Sequence, residues 1–325
     1  MEEFDSDIPI SLNSQNRIAI IIPYFGKWPE WINLFLYSCG QNENIDFILF
    51  TDCDITLYKA SNIHFYSVSF TEYCTEVGKR LNIDFKPRQT YKLCDIKPFL
   101  GFIHKGLLVK YDFWGFGDID VIWGKIYNFY NEDLLNKFDV FSTHNDRLSG
   151  HLSIFRNNEK YRNLCFQIKD WQFKLSADIN YVLDEADFSW LIFPESKWIG
   201  KFYRQIMMKY LGWKSAWEVY YTFFPIIHII LRFKRRRLYF KEQHTTPILN
   251  SDGRLYKYES DTWYYKNGKI FNDRIKRDYI YLHFMIFKKN NIKKEFYWGN
   301  QFYLVPPNYN YANGVIIDKK GISII

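Results

Sequence analysis

Two acidic residues lie in the middle of an aromatic and apolar stretch, YDFWGFGDIDVIW, at residues 111–123. They are Asp118 and Asp120, at the end of a run typical of a buried strand. A buried carboxylate that has no partner is costly, so it is usually paired, protonated or bound to a metal. Because residues two apart on a strand point to the same face, both carboxylates could reach one ion. The alternative is an ordinary strand-to-turn junction in which an aspartate caps the turn.

A divalent cation at this pair would suit a ligand that carries a diphosphate. Mg²⁺ and Mn²⁺ take hard oxygen ligands, and one or two carboxylates suffice when phosphate oxygens and water complete the shell. We therefore expect Mn²⁺ or Mg²⁺ at Asp118 and Asp120, holding a sugar nucleotide and neutralising its diphosphate as the sugar leaves. A third candidate ligand is His283, within the apolar run at residues 279–287, and Lys288 is a candidate diphosphate contact. A histidine in such a run is otherwise a core residue whose hydrogen bonds are satisfied.

Further candidates follow the first two predicted strands, which cover residues 17–24 and 45–51. In an open α/β sheet, ligands bind beyond the carboxyl ends of the strands. No GxGxxG or GxxxxGK[ST] motif follows the first strand, which disfavours a dinucleotide or P-loop site. Asp52 could accept hydrogen bonds from a uracil or a ribose, although an Asx-turn is its ordinary role. At these strand ends, the residues expected to contact the sugar nucleotide, which would be the sugar donor, are Pro23, Tyr24, Phe25, Gly26 and Asp52.

Two charged residues ahead of a predicted helix, Lys92 and Asp95, are also expected to contact the donor, with Lys92 reaching a phosphate. The alternative is an exposed, ion-paired turn that includes Lys97. A polar loop near residues 143–151 is expected to bind the acceptor, that is, the molecule that receives the sugar, because such loops at a sheet edge commonly bind substrate. The residues concerned are His144, Asn145, Gly150 and His151.

An acidic cluster, DEAD, precedes a predicted helix at residues 187–193. One of its members could contact the acceptor hydroxyl or act as general base, and Asp187 is the preferred base for an inverting reaction. The cluster could equally serve only to favour the helix dipole at its N-terminus. The candidates are Asp184, Glu185 and Asp187.

These residues require a scaffold in which strands and helices alternate. Strands at residues 17–24, 45–51 and 63–68, with a helix at 29–38, are typical of an α/β unit with a parallel sheet. A hairpin is predicted at YYKNGKI, with Asn267 and Gly268 in its turn. Further helices are predicted at residues 70–81, with Thr71 as N-cap, at 88–108, with Asp95 as cap and Pro98 in its first turn, and at 161–174. Further strands are predicted at residues 138–142, 151–155 and 279–287.

Composition limits the class of protein. The chain has 325 residues, of which 47% are hydrophobic, and this is enough for a sizeable core. Its net charge of +7 is compatible with a nucleotide ligand, a polyanionic partner or an anionic membrane surface. Its five cysteines show no CxxC spacing, which disfavours a disulfide framework or a zinc site. We see no signal peptide and no apolar run near the about 20 residues that span a bilayer, so we expect a cytoplasmic protein.

The chain is predicted to divide at changes of composition. Residues 1–16 are expected to be flexible, and residues 17–193 form a nucleotide-sugar core that residues 241–325 complete. Between them, residues 194–240 are aromatic and then basic, ending in RFKRRR. This insertion is expected to lie on the anionic inner face of the cell membrane. A buried helix with a solvated basic end, or a nucleic-acid patch, is the alternative.

Several stretches together carry a family resemblance: RIAIIIPYFGKWPEW, FILFTD, YKLCDIKPFLG, FWGFGDIDVIWG, GHLSIFRN and a late YLHF. They resemble a bacterial group of glycosyltransferase-like proteins from surface-polysaccharide gene clusters, over residues 17–193 and more weakly 240–305. The resemblance implies a GT-A (Rossmann-like) fold, with a mixed, mostly parallel sheet flanked by helices. It also implies a sugar-nucleotide-dependent transferase, with Asp118 and Asp120 as the metal-binding DXD motif. His283 resembles the late metal-binding histidine of retaining GT-A enzymes such as glycogenin.

The leading hypothesis is a metal-dependent glycosyltransferase, with retention or inversion left open. It would move a sugar from a nucleoside diphosphate, UDP favoured, to a lipid-linked glycan acceptor in surface-polysaccharide synthesis. One alternative is a non-catalytic binder of polyanions or nucleic acids, although we expect no nucleic-acid partner. Another is a sugar-binding protein of the same fold that has lost turnover.

Overall fold

The computed structural model describes most of the chain, namely residues 16–144, 147–194, 209–210, 238–240, 262–272, 278–284, 298 and 301–325. The predicted flexible N-terminus and most of the aromatic and basic insertion lie outside the described residues. So do Asn145 and Lys288, the predicted acceptor and diphosphate contacts.

A seven-stranded sheet forms the centre of the molecule, in the order β3-β2-β1-β4-β7-β6-β8. Its strands are β1 Ile18–Pro23, β2 Ile45–Thr51, β3 Ile63–Ser67, β4 Phe113–Gly117, β6 Val140–Ser142, β7 Leu152–Arg156 and β8 Leu238–Phe240. The pairs β3-β2, β2-β1, β1-β4 and β6-β8 are parallel, whereas β4-β7 and β7-β6 are antiparallel. The predicted mixed, mostly parallel α/β sheet is therefore confirmed.

The continuous apolar pattern of β1 reflects burial on both faces of this sheet. Successive side chains on a strand point to opposite faces. Ile18, Ile20 and Ile22 join one hydrophobic core, whereas Ala19 and Ile21 join the other. A strand covered on both faces has no polar side, which is why no alternation appears in its sequence.

Helices cover both faces of the sheet. The helix α1 (Ile32–Gly40) contributes to the same core as Ile20, while α2 (Phe70–Leu81) contributes to the core that contains Ile21. Shorter α-helices follow along the chain, namely α3 Leu100–Ile103, α4 Glu132–Lys137, α5 Glu159–Asn163, α6 Trp171–Ser176 and α7 Asp187–Ile192.

Three helix predictions differ from the structure in detail. The N-cap of α2 is Ser69 rather than Thr71, because the Ser69 hydroxyl and the Glu72 side chain form a reciprocal capping box. The helix predicted at 88–108 is a 3₁₀-helix, Thr90–Phe99, followed by the short α3 and a second 3₁₀-helix, Leu107–Lys110. The helix predicted at 161–174 is likewise interrupted, with a break at Asp170, whose φ of 56° is left-handed.

The C-terminal part of the chain adds two smaller sheets. One has the order β10-β9-β12-β13, formed by Trp263–Lys266 (β9), Lys269–Asn272 (β10), Val315–Asp318 (β12) and Gly321–Ile324 (β13). The predicted hairpin joins β9 to β10, and its turn residues Asn267 and Gly268 both have positive φ, at 49° and 75°. The other sheet pairs β5 (Val121–Trp123) with β11 (Tyr281–His283) in antiparallel orientation. Apolar residues of both parts share one core, so the C-terminal strands pack on the first half of the chain.

No helix within the described part of the chain is long and apolar enough to cross a membrane.

Candidate active site

The two aspartates occupy the turn that joins β4 to β5. The prediction that they share one face of a strand is wrong, because β4 ends at Gly117, before Asp118. The turn is tied to the start of α1, since the indole Nε1 of Trp31, the residue just before that helix, donates to the carbonyl of Ile119 at 2.8 Å. The two carboxylates are therefore positioned by different neighbours rather than by strand geometry.

Asp118 meets His151 through the pairing of β4 with β7. In that register Gly117 lies opposite Leu152, which places His151 beside the turn. The Nδ1 atom of His151 lies 3.3 Å from Oδ2 of Asp118. A Cβ on Gly117 would lie only 3.0 Å from the carbonyl oxygen of His151, so glycine permits this close approach. The predicted acceptor residue His151 thus belongs beside the acidic pair, and the ring of His144 adjoins it at 6.3 Å between centroids.

Asp120 meets His283 through the pairing of β5 with β11. Val121 lies opposite His283, and the amide of Phe284 donates to the carbonyl of Asp120 at 2.8 Å. The Nε2 atom of His283 lies 3.2 Å from Oδ2 of Asp120. The rings of His151 and His283 are 3.7 Å apart between centroids, so the two aspartate–histidine pairs adjoin. The structure places Asp118, Asp120 and His283 in one cluster, and their predicted role as metal ligands stays a prediction.

A buried lysine that the sequence analysis did not select lies at the centre of the cluster. The ammonium of Lys97 lies 2.6 Å from Oδ1 of Asp118, 3.1 Å from the carbonyl of Gly150 and 3.4 Å from Oδ2 of Asp184. Its side chain is 8% exposed. The only sequence signal was its place as the third charged residue of the set that begins at Lys92.

Two acids of the DEAD stretch complete the cluster. Asp184 reaches Lys97, and the amide of Gly150 donates to Oε1 of Glu185 at 3.0 Å. A Cβ on Gly150 would lie 2.9 Å from Glu185 and 3.0 Å from Asp184. Gly150, predicted as an acceptor contact, therefore provides the space that these acids need. Asp187, the predicted base, instead pairs with Lys174 at 3.1 Å.

Burial and charge give these groups different pKa values. Burial raises the pKa of Asp184 to about 6, despite the opposing charge of Lys97. Burial also acts to raise the pKa of Asp118, but Lys97 and the hydrogen bond from His151 outweigh it and hold that pKa below its ordinary value. Likewise, burial acts to lower the pKa of Lys97, but the charge of Asp118 outweighs it and holds that pKa well above its ordinary value. Lys97 and Asp118 are therefore a stable ion pair at neutral pH.

The pKa values of the two adjoining histidines are shifted in opposite directions. Burial acts to lower the pKa of His151, but the hydrogen bond to Asp118 and the charge of Glu185 outweigh it and raise that pKa. Burial, reinforced by the charge of His151, lowers the pKa of His283. His283 is therefore the neutral member of the pair near neutral pH, which is the form that binds metals.

The loop after β1 adjoins the acidic turn, as predicted. Burial raises the pKa of Tyr24, and the nearby charges of Cys53 and Asp120 add to that effect. The amide of Gly26, whose φ is +105°, donates to Oδ1 of Asp52 at 2.7 Å. The ends of β1, β2 and β4 thus meet at one edge of the sheet. Pro23 is the last residue of β1, and the buried Phe25 ring packs against Tyr73.

Lys92 and Asp95 have a different environment from the one predicted. Their side chains are 1% and 0% exposed, and they pair at 2.8 Å. The Lys92 ammonium also donates to the carbonyls of Lys174 and Ile179, both at 2.6 Å. Three protein oxygens therefore surround the ammonium, which rules out the exposed turn and leaves no approach for a donor phosphate.

The cluster contains the chemistry of a cation site in an incomplete geometry. Among the described residues, no three His, Cys, Asp or Glu side chains are placed to hold one metal ion. The two aspartate–histidine distances, 3.3 Å and 3.2 Å, nonetheless resemble the separation of adjacent ligands on an octahedral cation, which is about 3 Å for bonds of about 2.1 Å. The donor atoms are of the kind that a hard divalent cation takes, but three of them do not converge on one point within the described residues.

Comparisons with known proteins give one family and a remote structural likeness. No curated protein matches the chain. A crystal structure of the galactosyltransferase LgtC with donor and acceptor sugar analogues is 14% identical, with a TM-score of 0.33, and the match covers 54% of this chain and 70% of that one. An active-site mutant of LgtC is 13% identical, with a TM-score of 0.31 and the same coverage. A family model described as "Family of unknown function (DUF6625)" matches residues 20–313, and the chain belongs to that family.

Proposed function

We propose that the protein is a glycosyltransferase that uses a sugar nucleotide, with UDP favoured, on a GT-A fold. One observation carries the proposal. Two adjoining aspartate–histidine pairs, backed by a buried lysine, lie at the carboxyl edge of the parallel strands β1 and β4. In open α/β sheets this edge binds ligands, and the cluster supplies both hard ligands and acid–base groups there.

The donor would span the edge from the loop after β1 to the acidic turn. Asp52, Gly26 and Tyr24 would contact the nucleoside, since they lie at the ends of β1 and β2. The diphosphate would then lie toward Asp118 and Asp120, because Tyr24 is close enough to Asp120 for that charge to raise the pKa of the Tyr24 hydroxyl. Lys288, a proposed diphosphate contact, lies outside the described residues.

Asp118, Asp120 and His283 would hold Mn²⁺ or Mg²⁺. When bound, the cation would neutralise the charge that develops on the departing diphosphate. Lys97 keeps Asp118 ionised and fixed, since their atoms lie 2.6 Å apart in a buried environment. His151, bonded to the other oxygen of Asp118, orients the same carboxylate.

Among the three acids of the DEAD stretch, Asp184 is the proposed general base, because it lies in the cluster 3.4 Å from the Lys97 ammonium. Its pKa of about 6 is close to neutral pH, where a base is most effective. Burial acts to raise the pKa of Glu185, but the charge of His151 outweighs it and holds the pKa of that carboxyl low. Asp187 is paired with Lys174. In an inverting reaction Asp184 would take the acceptor proton, whereas in a retaining one the leaving phosphate would take it.

The acceptor proposed is a lipid-linked glycan of a surface polysaccharide. His144 and Gly150 border the cluster on the side of β6 and β7, where such an acceptor would approach. Contact with an anionic membrane would come from the basic segment at residues 232–237, which lies outside the described residues. Binding of the protein to anionic vesicles, measured by co-sedimentation before and after replacing Arg235–Arg237 with serine, tests this part.

Calorimetric titration of UDP tests the donor and metal together. We expect binding that strengthens at least tenfold with Mn²⁺ and that loses this dependence in Asp120→Ala. Asp84→Ala is the matched control, because Asp84 is 73% exposed and pairs with its exposed neighbour Lys86. Equal, metal-independent binding by all three proteins would refute the proposal.

One observation favours a second candidate, a sugar-nucleotide-binding protein without turnover. The Lys97–Asp118 ion pair occupies part of the cluster, and no three-residue metal group is complete within the described residues. Release of free sugar from UDP-sugars discriminates the two. Donor binding with no hydrolysis and no transfer would favour this second candidate.

A further inference from the structure

We propose that the buried ion pair Lys92–Asp95 is a positioning device for the acidic loop, defined here as residues 179–186, which carries Asp184 and Glu185. The inference rests on the proposed function of Asp184 at the site. It assigns Lys92 and Asp95 a role through the loop, without contact to substrate.

Apart from each other, Lys92 and Asp95 form hydrogen bonds with backbone groups of the acidic loop and of the chain just before it. Asp95 accepts hydrogen bonds from the amide of Tyr181 at 2.9 Å and from that of Leu183 at 3.0 Å. Lys92 donates to the carbonyl of Ile179 at 2.6 Å. Both charges are buried, and their bonds run to a segment more than eighty residues away. A single buried pair therefore fixes three backbone groups at the start of the loop.

The loop has a conformation that needs such support. Val182 has a φ of 53°, and a β-branched residue in the left-handed region is an outlier. The residue is 46% exposed, so core packing does not impose that angle. Strain of this kind persists where the surroundings over-determine the backbone, and it is concentrated at functional sites. The amides on either side of Val182 are the ones that Asp95 holds.

The constrained backbone leads directly into the proposed base. Two residues after Val182, Asp184 lies 3.4 Å from the Lys97 ammonium. Glu185 accepts a hydrogen bond from the amide of Gly150 at 3.0 Å. These contacts join the loop to the elements that carry Asp118 and His151. A displacement of about 1 Å at a catalytic group can lower a rate about 100-fold. Loss of the buried pair should therefore affect turnover through the position of Asp184.

The principal variant is Asp95→Asn, which keeps the size of the side chain but removes the charge and one acceptor. A second variant, Lys92→Met combined with Asp95→Leu, removes both charges, since apolar replacement of a whole buried pair commonly preserves the fold. The matched control is Arg88→Ala. Arg88 and Asp178 form an ion pair between the same two segments, but their side chains are 86% and 49% exposed.

Amide hydrogen exchange and steady-state kinetics are measured on each folded variant. We expect faster exchange confined to residues 179–186 and a kcat that falls tenfold to a hundredfold, with the donor KM changed by less than about twofold. The Arg88→Ala control should match the wild type in both measurements. Faster exchange of the loop with an unchanged kcat would overturn the proposal, and so would unchanged exchange.

A third readout separates this proposal from the proposed function. The carboxyl carbon resonance of Asp184 reports its pKa in a protein with or without transferase activity. In the wild type the midpoint should be about 6, and in the variants it should move toward the ordinary value of 3.8 as the carboxyl becomes hydrated. A protein that shows this movement but transfers no sugar would refute the proposed function while supporting the positioning role. An unchanged midpoint would refute the positioning role itself.

Discussion

Replacing Asp184 with asparagine is expected to stabilise the folded protein at neutral and alkaline pH while lowering its activity. The Asp184 side chain is 5% exposed, and its pKa is raised by burial to about 6. A carboxyl with a pKa above its unfolded value binds more protons when the chain is folded. The folded state therefore loses stability as the pH rises from about 4 to about 6, and the loss persists at higher pH.

The size of the effect follows from the two pKa values. A pKa of about 6 against an ordinary 3.8 corresponds to about 3 kcal/mol of unfolding free energy at pH 8. The pKa of about 6 already includes the attraction between Lys97 and the charged carboxylate, so the Asp184→Asn variant removes a net cost. We expect a gain of about 3 kcal/mol at pH 8. Near pH 4 the wild-type carboxyl is largely protonated in the folded protein, so the gain should vanish.

Urea unfolding, followed by circular dichroism near pH 4, 6 and 8, measures this difference. Asp187→Asn is the matched control, because Asp187 lies in the same segment but pairs with Lys174 in a more exposed position, where its side chain is 21% exposed. The control should lose a little stability at pH 8 instead of gaining it. Transfer activity of Asp184→Asn should fall about 100-fold or more if the carboxylate is the general base.

The reasoning would be refuted by a stability difference that is the same at all three pH values. A loss of stability at pH 8 would also refute it, because it would mean that the Lys97 contact outweighs the cost of burying the charge. Unchanged transfer with the expected gain in stability would keep the electrostatic argument and remove Asp184 as the base.

Two further substitutions test the architecture of the site. Lys97→Met should cost about 3–5 kcal/mol near pH 7, because it removes the buried ammonium that pairs with the buried carboxylate of Asp184 and the partly exposed carboxylate of Asp118. Urea unfolding that shows a loss below about 1 kcal/mol would contradict the importance of this ammonium. Gly124→Ala should lower the free energy of unfolding by about 1–3 kcal/mol and weaken Mn²⁺-dependent UDP binding. A Cβ at this position would collide with the carbonyl of Tyr279 and displace the strand that carries His283. UDP binding at wild-type strength would show that the strand does not position the histidine.

Local chemistry made part of the fold predictable. The continuous apolar run of β1 indicated a strand buried on both faces, and its residues do divide between two cores. Asn267 and Gly268 indicated a hairpin because both tolerate positive φ, and both adopt it. In each case the decisive signal lay within a few residues of the element. Where the local signals were mixed, as at residues 88–108, the predicted long helix proved to be shorter 3₁₀ and α segments.

The site was predictable only in outline. Asp118 and Asp120 were selected because burying a carboxylate without a partner is costly. His283 was selected because a polar ring within a late apolar strand also requires a partner. Lys97 was missed, since nothing local distinguishes it from Lys92. Which lysine reaches the aspartates depends on the turn after β4 and on the acidic loop, and these contacts form only in the folded chain. Likewise, the register of β4 with β7 moved His151 from the predicted acceptor loop to the side of Asp118.

The pairing of β5 with β11 has a consequence for how the protein matures. It joins Asp120 to a histidine 163 residues later in the chain, and contacts between such distant residues form slowly, because a long loop must close first. The strands β1, β2 and β4, by contrast, are all synthesised before residue 118. A chain still emerging from the ribosome can therefore build most of its central sheet while the second aspartate–histidine pair is absent. The cluster proposed as the active site would therefore stay incomplete until β11 has been synthesised and has paired with β5.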